Sequence, residues 1–146
     1  MFEYRPYPKA VQLKKPNREK RKRKKYKGRT IPSKRQRGKV SKKDYNKAIE
    51  VNGPYCLECG SPNIEIHHVR SRSQGGRGTW RNLIPLCPEH HRGKSGVHQN
   101  REMMLKYQKR QENLYGKYYY CDKWDLFKAG LIPNTTDRAF EEFFEK

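Results

Sequence analysis

Apolar positions along the chain come in short groups divided by long polar stretches. From Lys14 to Lys43 almost none occurs and no periodicity is visible, so no packed element is expected there. Ser41-Lys42-Lys43-Asp44 resembles a capping box with Ser41 as N-cap. It opens a short predicted helix through about Val51, with Tyr45, Ala48 and Ile49 on one side, ended by Asn52-Gly53-Pro54. Ile64-Glu65-Ile66-His67-His68-Val69 alternates and places Ile64, Ile66 and His68 on one face, which predicts a strand. Ser71 to Gly78 reads as a polar, flexible connection. Asn82-Leu83-Ile84-Pro85-Leu86 is a second short apolar segment, and Pro88 suits the first turn of a helix beginning there.

The last third predicts helices. Asn100 caps one running to about Tyr115, stopped by Gly116, with Met103, Met104, Tyr107 and Leu114 as its apolar side. Asp122 caps a shorter one through Ala129. Thr136 or Asp137 caps the last, where Ala139, Phe140, Phe143 and Phe144 form a stripe of helical period, suited to packing.

Charge divides the chain differently. The 146 residues hold 35 Lys and Arg against 15 Asp and Glu, a formal charge of +20. Residues 1–50 carry 20 of those bases and 4 of the acids. Like charges in Arg21-Lys22-Arg23-Lys24-Lys25 repel one another, so Lys9 to about Gly38 is expected to be a disordered basic arm. Neutralising phosphates with such an arm releases counterions, which gives salt-sensitive, sequence-independent nucleic-acid binding. Only 32% of the residues are hydrophobic, so one small core is expected. No run of about 18 apolar residues occurs, which excludes a helical membrane span. The opening MFEYRPYPKA lacks a secretory apolar region, and a cytoplasmic location is expected.

Without an export signal, the four cysteines read as thiols or metal ligands. Cys56-x2-Cys59 and Cys87-x2-His90 are two chelating pairs that together make a set of three thiolates and one imidazole, a donor combination suited to structural zinc. Twenty-seven residues separate Cys59 from Cys87, enough for a hairpin and too many for a C2H2 finger. Cys121 falls outside both pairs and is expected to be a free, buried thiol. His67, His68, His91 and His98 remain, within 32 residues of one another. On a strand His67 and His68 point to opposite faces, so one can bind a metal while the other meets a reacting water. Gly93 and Gly96 argue against a helix continuing to His98. Arg70, Arg72 and Arg92 flank these residues and are candidate phosphate-gripping side chains. Gly75-Gly76-Arg77-Gly78 lacks the residues of a P-loop, and Trp80 reads as a packing residue.

His67-His68 after an apolar strand, then Ser73-Gln74-Gly75-Gly76, Asn82 to Cys87 and His90-His91, resembles the HNH endonuclease family over about residues 52–98. The resemblance implies an α+β chain built on a small ββα-metal (His-Me finger) core with a structural zinc site. The basic arm occupies residues 1–40, the nuclease domain 41–100 and a helical extension 101–146. By the same resemblance His68 is the general base and Asn82 pins the loop behind the catalytic strand. His67, His91 and His98 hold the catalytic metal, which is Mg2+, Mn2+, Ni2+ or Zn2+, while Cys56, Cys59, Cys87 and His90 hold the structural Zn2+. The implied reaction is metal-dependent hydrolysis of DNA to 5′-phosphate and 3′-hydroxyl ends, by nicking or double-strand cleavage. The layout also resembles small bacteriophage and prophage HNH proteins, which implies DNA as partner and a link to phage terminase or portal proteins. Two alternatives stay open: a zinc-containing nucleic-acid-binding module that cuts nothing, and a packaging-complex partner. The first has no use for His68, Asn82 and His91 together.

Overall fold

The structure, a computed structural model, describes residues 25–146. Its described residues divide after Ile31 into two units. In the described part of the first, β1 (Lys25–Tyr26) pairs antiparallel with β2 (Arg29–Thr30). The turn between them holds Lys27 at φ 45° and Gly28 at φ 75°, the left-handed pair that matches the twist of a two-residue hairpin. Most of the expected arm, residues 1–24, lies outside the described residues.

The second unit begins with a correction. Residues expected to be unstructured as far as Gly38 form α1 (Lys34–Arg37), closed by a reciprocal capping box between Ser33 and Gln36. The positive run hid an anchor, because the Arg37 guanidinium meets Asp122 at 2.6 Å and Asp125 at 2.6 Å. In α2 (Lys42–Asn52) the Ser41 hydroxyl accepts the Asp44 N–H at 3.0 Å, as the sequence suggested. The Asp44 carboxylate does not return to the cap backbone; it accepts the Trp80 N–H at 3.1 Å and ties α2 to the second strand's approach. Ala48 is buried and Ile49 half-buried, but Tyr45 is 40% exposed, so the buried face is narrower than expected.

β3 (Glu65–His68) and β4 (Leu83–Leu86) form an antiparallel pair with His67 opposite Ile84 and His68 opposite Leu83. α3 (Pro88–Arg92) follows at once with Pro88 in its first turn, completing a β-β-α unit. Ile84, Leu86, Val69, Val97, Tyr107 and Tyr119 pack with Cys56 and Cys87 into one small core. The link from β3 to β4 is not the flexible loop expected. A Cβ on Gly76 would lie 1.8 Å from the Arg70 carbonyl, and one on Gly78 would lie 2.0 Å from the Lys39 carbonyl. Both glycines are buried and let two backbones touch.

Three capped helices complete the unit. α4 (Arg101–Tyr115) is capped by Asn100, α5 (Lys123–Lys128) by Asp122 and α6 (Asp137–Phe144) by Thr136. Leu114, expected on the buried side of α4, is 55% exposed; Gln111 is buried instead and donates to the Arg81 carbonyl at 2.6 Å. The stripe of α6 packs against a cation: the Arg81 guanidinium lies 4.1 Å from the Phe144 ring centre and 4.3 Å from that of Trp80. Among the described residues no helix is long and apolar enough to cross a membrane.

Candidate functional site

Two clusters of ligating side chains stand on the same β-β-α unit. In the first, the ligand atoms of Cys56, Cys59, Cys87 and His90 all lie within 4.8 Å of one another. Cys59 Sγ is 3.7 Å from Cys87 Sγ, Cys56 Sγ is 3.7 Å from His90 Nδ1, and Cys87 Sγ is 3.2 Å from His90 Nδ1. A tetrahedral ion with metal–sulfur bonds of about 2.3 Å needs sulfurs about 3.8 Å apart, so the donors stand at zinc-compatible spacing. Burial pushes the Cys56 thiol up, but the N–H groups of Cys87, Cys59 and Glu58 outweigh it and bring it down to about 6. That favours the thiolate a metal requires.

Local hydrogen bonds explain why the knuckles sit here. The Leu57 N–H donates to the Pro85 carbonyl at 3.1 Å, docking the first knuckle on β4. Glu58 receives Lys106 Nζ at 2.9 Å and the Tyr107 hydroxyl, which ties the knuckle to α4. Cys121 is free and buried, as expected, and burial raises its thiol to about 12.

The second cluster brings together three of the histidines singled out in the sequence. The ligand nitrogens of His67, His91 and His98 lie within 4.8 Å of one another, and their ring centres form a near-equilateral triangle of 5.2, 5.0 and 4.9 Å. His67 comes from β3 and His91 from α3. His98 reaches them because the chain reverses after α3, where the Val97 N–H donates to the His90 carbonyl at 2.9 Å. That reversal, and not a continuing helix, bridges the seven residues between His91 and His98. Burial, with His91 and His98 close by, pushes His67 down to about 3, and burial also lowers His98. Both stay neutral near pH 7, the form in which imidazole ligates a metal.

A carboxylate that the sequence reading did not pick out completes the cluster. Glu65 Oε2 lies 2.6 Å from His91 Nδ1, and a carboxylate accepts, so Nδ1 carries the proton. His91 Nε2 is left with its lone pair facing the cluster, 3.2 Å from His98 Nε2. The signal that would have found Glu65 is the two-residue strand period, which sets it on the same face as His67. Arg92 is committed to Glu65 at 2.5 Å, so it supports the carboxylate. Arg70 lies over the Tyr120 ring at 4.6 Å, and Arg72 is exposed.

His68 stands outside the triad. Its Nε2 lies 2.9 Å from the Gly38 carbonyl, and a carbonyl only accepts, so Nε2 holds the proton and Nδ1 a lone pair. Burial lowers its pKa further than this hydrogen bond raises it, and the nearby Arg72 and His91 add to the lowering. Asn82 is wholly buried behind the strand. Its Oδ1 accepts the Arg70 N–H at 2.8 Å, and its Nδ2 donates to the carbonyls of Arg77 at 2.9 Å and Arg70 at 3.1 Å. One amide thus holds both ends of the packed glycine loop.

A family model described as HNH endonuclease matches residues 56–96. Over 41 residues the chain is 46% identical to the type IV methyl-directed restriction enzyme EcoKMcrA of Escherichia coli strain K12. That alignment takes in 28% of this chain and 15% of the relative. Residues 56–96 are therefore similar to an HNH endonuclease domain.

Proposed function

We propose that the protein is a metal-dependent endonuclease that hydrolyses DNA phosphodiester bonds, with His68 as general base. The observation that carries this reading is the split between neighbouring histidines. His67 turns to an all-imidazole cluster while His68 offers an unprotonated Nδ1 on the other face.

Imidazole nitrogens on one tetrahedral ion stand about 3.4 Å apart, and the 3.2 Å between His91 and His98 fits that spacing. His67, His91 and His98 would hold a divalent cation, which supplies positive charge at the scissile phosphate and at the departing oxygen. Three nitrogen donors and no carboxylate favour Zn2+ or Ni2+ over Mg2+, whose preference is for oxygen. In the other cluster Cys56, Cys59, Cys87 and His90 would hold a structural Zn2+ with no open position.

The residues then divide the work of hydrolysis. His68 Nδ1 takes a proton from water as the water oxygen bonds to phosphorus; the bond to the 3′ oxygen breaks, and that oxygen leaves with the bonding pair and takes a proton from solvent water. The products are a 5′-phosphate and a 3′-hydroxyl. Asn82 keeps the loop behind His68 closed, and Glu65 keeps His91 Nε2 turned to the cation. Arg70 and Arg72, with the basic residues of the arm that precedes α1, would meet flanking phosphates. The division into arm, nuclease domain over 41–100 and helical extension over 101–146 belongs to this proposal, with α1 moved from the arm to the folded part. The phage-related reading, with terminase or portal proteins as partners, rests on the chain's layout, and a pull-down with those proteins tests it.

Supercoiled plasmid tests the activity. Wild type should convert it to open-circular or linear DNA with Ni2+, Mn2+ or Zn2+ and not with chelator. His68→Ala should bind DNA equally and cut at least about 100-fold more slowly. DNA binding without cutting, in every metal, would leave the non-catalytic nucleic-acid-binding module as the reading.

A further inference from the structure

The proton on His68 Nε2 is fixed by a carbonyl from outside the matched segment. Gly38 caps the C-terminal end of α1, 30 residues before His68, and its oxygen lies 2.9 Å from the ring nitrogen. A four-residue helix cannot hold that position unaided. What holds it is Arg37. The Arg37 side chain is 5% exposed and grips Asp122 with Nε at 2.7 Å and Nη2 at 2.6 Å, and Asp125 at 2.6 Å. The Arg37 carbonyl also accepts the Gly78 N–H at 3.0 Å. Asp125 is shared with Arg77, whose N–H donates to the Tyr120 carbonyl at 3.0 Å. The catalytic histidine is thereby tied to α5 through two arginines and two carboxylates.

We infer that Arg37 is a positioning residue of the catalytic centre: its clamp on Asp122 and Asp125 sets the Gly38 carbonyl on His68 and so keeps His68 Nδ1 free to take the proton. This rests on the nuclease reading. It makes the N-terminal segment a working part of the site, separate from any service as a basic tether. A guanidinium that served DNA affinity would change KM; one that aims the base changes kcat.

The test uses the full chain and supercoiled plasmid. Arg37→Ala should lower kcat by roughly 10- to 100-fold, the scale of a misaligned catalytic group, with KM within about twofold of wild type. Arg37→Lys keeps the charge but loses the fork and should fall between. Nitrogen-15 NMR of the His68 ring should show the proton on Nε2 in wild type and a mixture of tautomers in Arg37→Ala. An unchanged kcat in Arg37→Ala, or a wild-type His68 protonated on Nδ1, overturns the inference. Should Arg37→Ala not fold, Asp122→Asn carries the same two readouts, since Asn still caps α5 while the charge pair is lost. If wild type cuts no DNA, the nuclease reading fails, and the tautomer measurement alone decides whether Arg37 sets the ring.

Discussion

The two clusters differ in how they are gathered and in what they leave open. The cysteine-rich set is built from two pairs of near neighbours, 56 with 59 and 87 with 90, so each half is preformed by one turn of chain. The all-histidine set draws one residue each from β3, α3 and the reversal after α3, and no two of them are adjacent in sequence. Four donors around one tetrahedral ion leave no room for a reactant, whereas three leave one side free. Thiolates bring negative charge and hold an ion hard; neutral imidazoles leave its charge available to a phosphate. The closed set suits holding a fold and the open set suits chemistry, and they are distinguished by donor count and charge.

Breaking the closed set should have the largest effect. Structural zinc contributes on the order of 10 kcal/mol of folding free energy in small zinc domains, more than a core this size can lose and stay folded. Cys87→Ser, or prolonged chelation, should abolish the cooperative melting transition followed by circular dichroism. His68→Ala should come next and should leave melting intact. It should slow plasmid cleavage by roughly 10²- to 10⁴-fold, the contribution of a positioned base. A variant that lost both together would show that the two clusters do not divide fold from chemistry.

Glu65→Gln sharpens the contrast on the open side. Loss of the carboxylate behind a ligating histidine weakens metal affinity by roughly 10- to 100-fold. Titration with Ni2+ of protein that keeps zinc on its cysteine-rich set should show that loss at the all-histidine set, with the zinc content unchanged. The smallest effect is on acid stability. Burial raises the Asp125 carboxyl, but Arg77 and Arg37 outweigh it and bring it to about 2 from an ordinary 3.8. A depressed carboxyl contributes stability that is present above pH 3.8 and is lost as pH falls towards 2. Melting temperature should therefore fall less steeply through that window in Asp125→Asn than in wild type, although the variant starts lower at pH 7.

The same contrast marks what sequence could show. Helix starts were legible because Ser41, Asn100, Asp122 and Thr136 each cap through a hydrogen bond within three residues. The cysteine-rich set was legible because its spacing is local. His67 and His91 carried their own signal in the adjacent pairs, while His98 depended on a chain reversal that spacing alone did not disclose. Arg37 looked like one more base in a positive run. Its partners lie 85 and 88 residues away, and no local pattern announces a pairing at that distance. Gly76 and Gly78 suggested flexibility, and the backbones they admit come from Arg70 and Lys39, again from elsewhere in the chain.

The helix α3 ties the two clusters together. His90 and His91 are consecutive, so their side chains leave the helix about 100° apart, one towards each set of donors. A five-residue helix is too short to bend between them. Any cation seated in one cluster therefore restricts the orientation available to the other's histidine. Whatever coupling α3 transmits is reciprocal: each occupancy changes the other's affinity by the same factor.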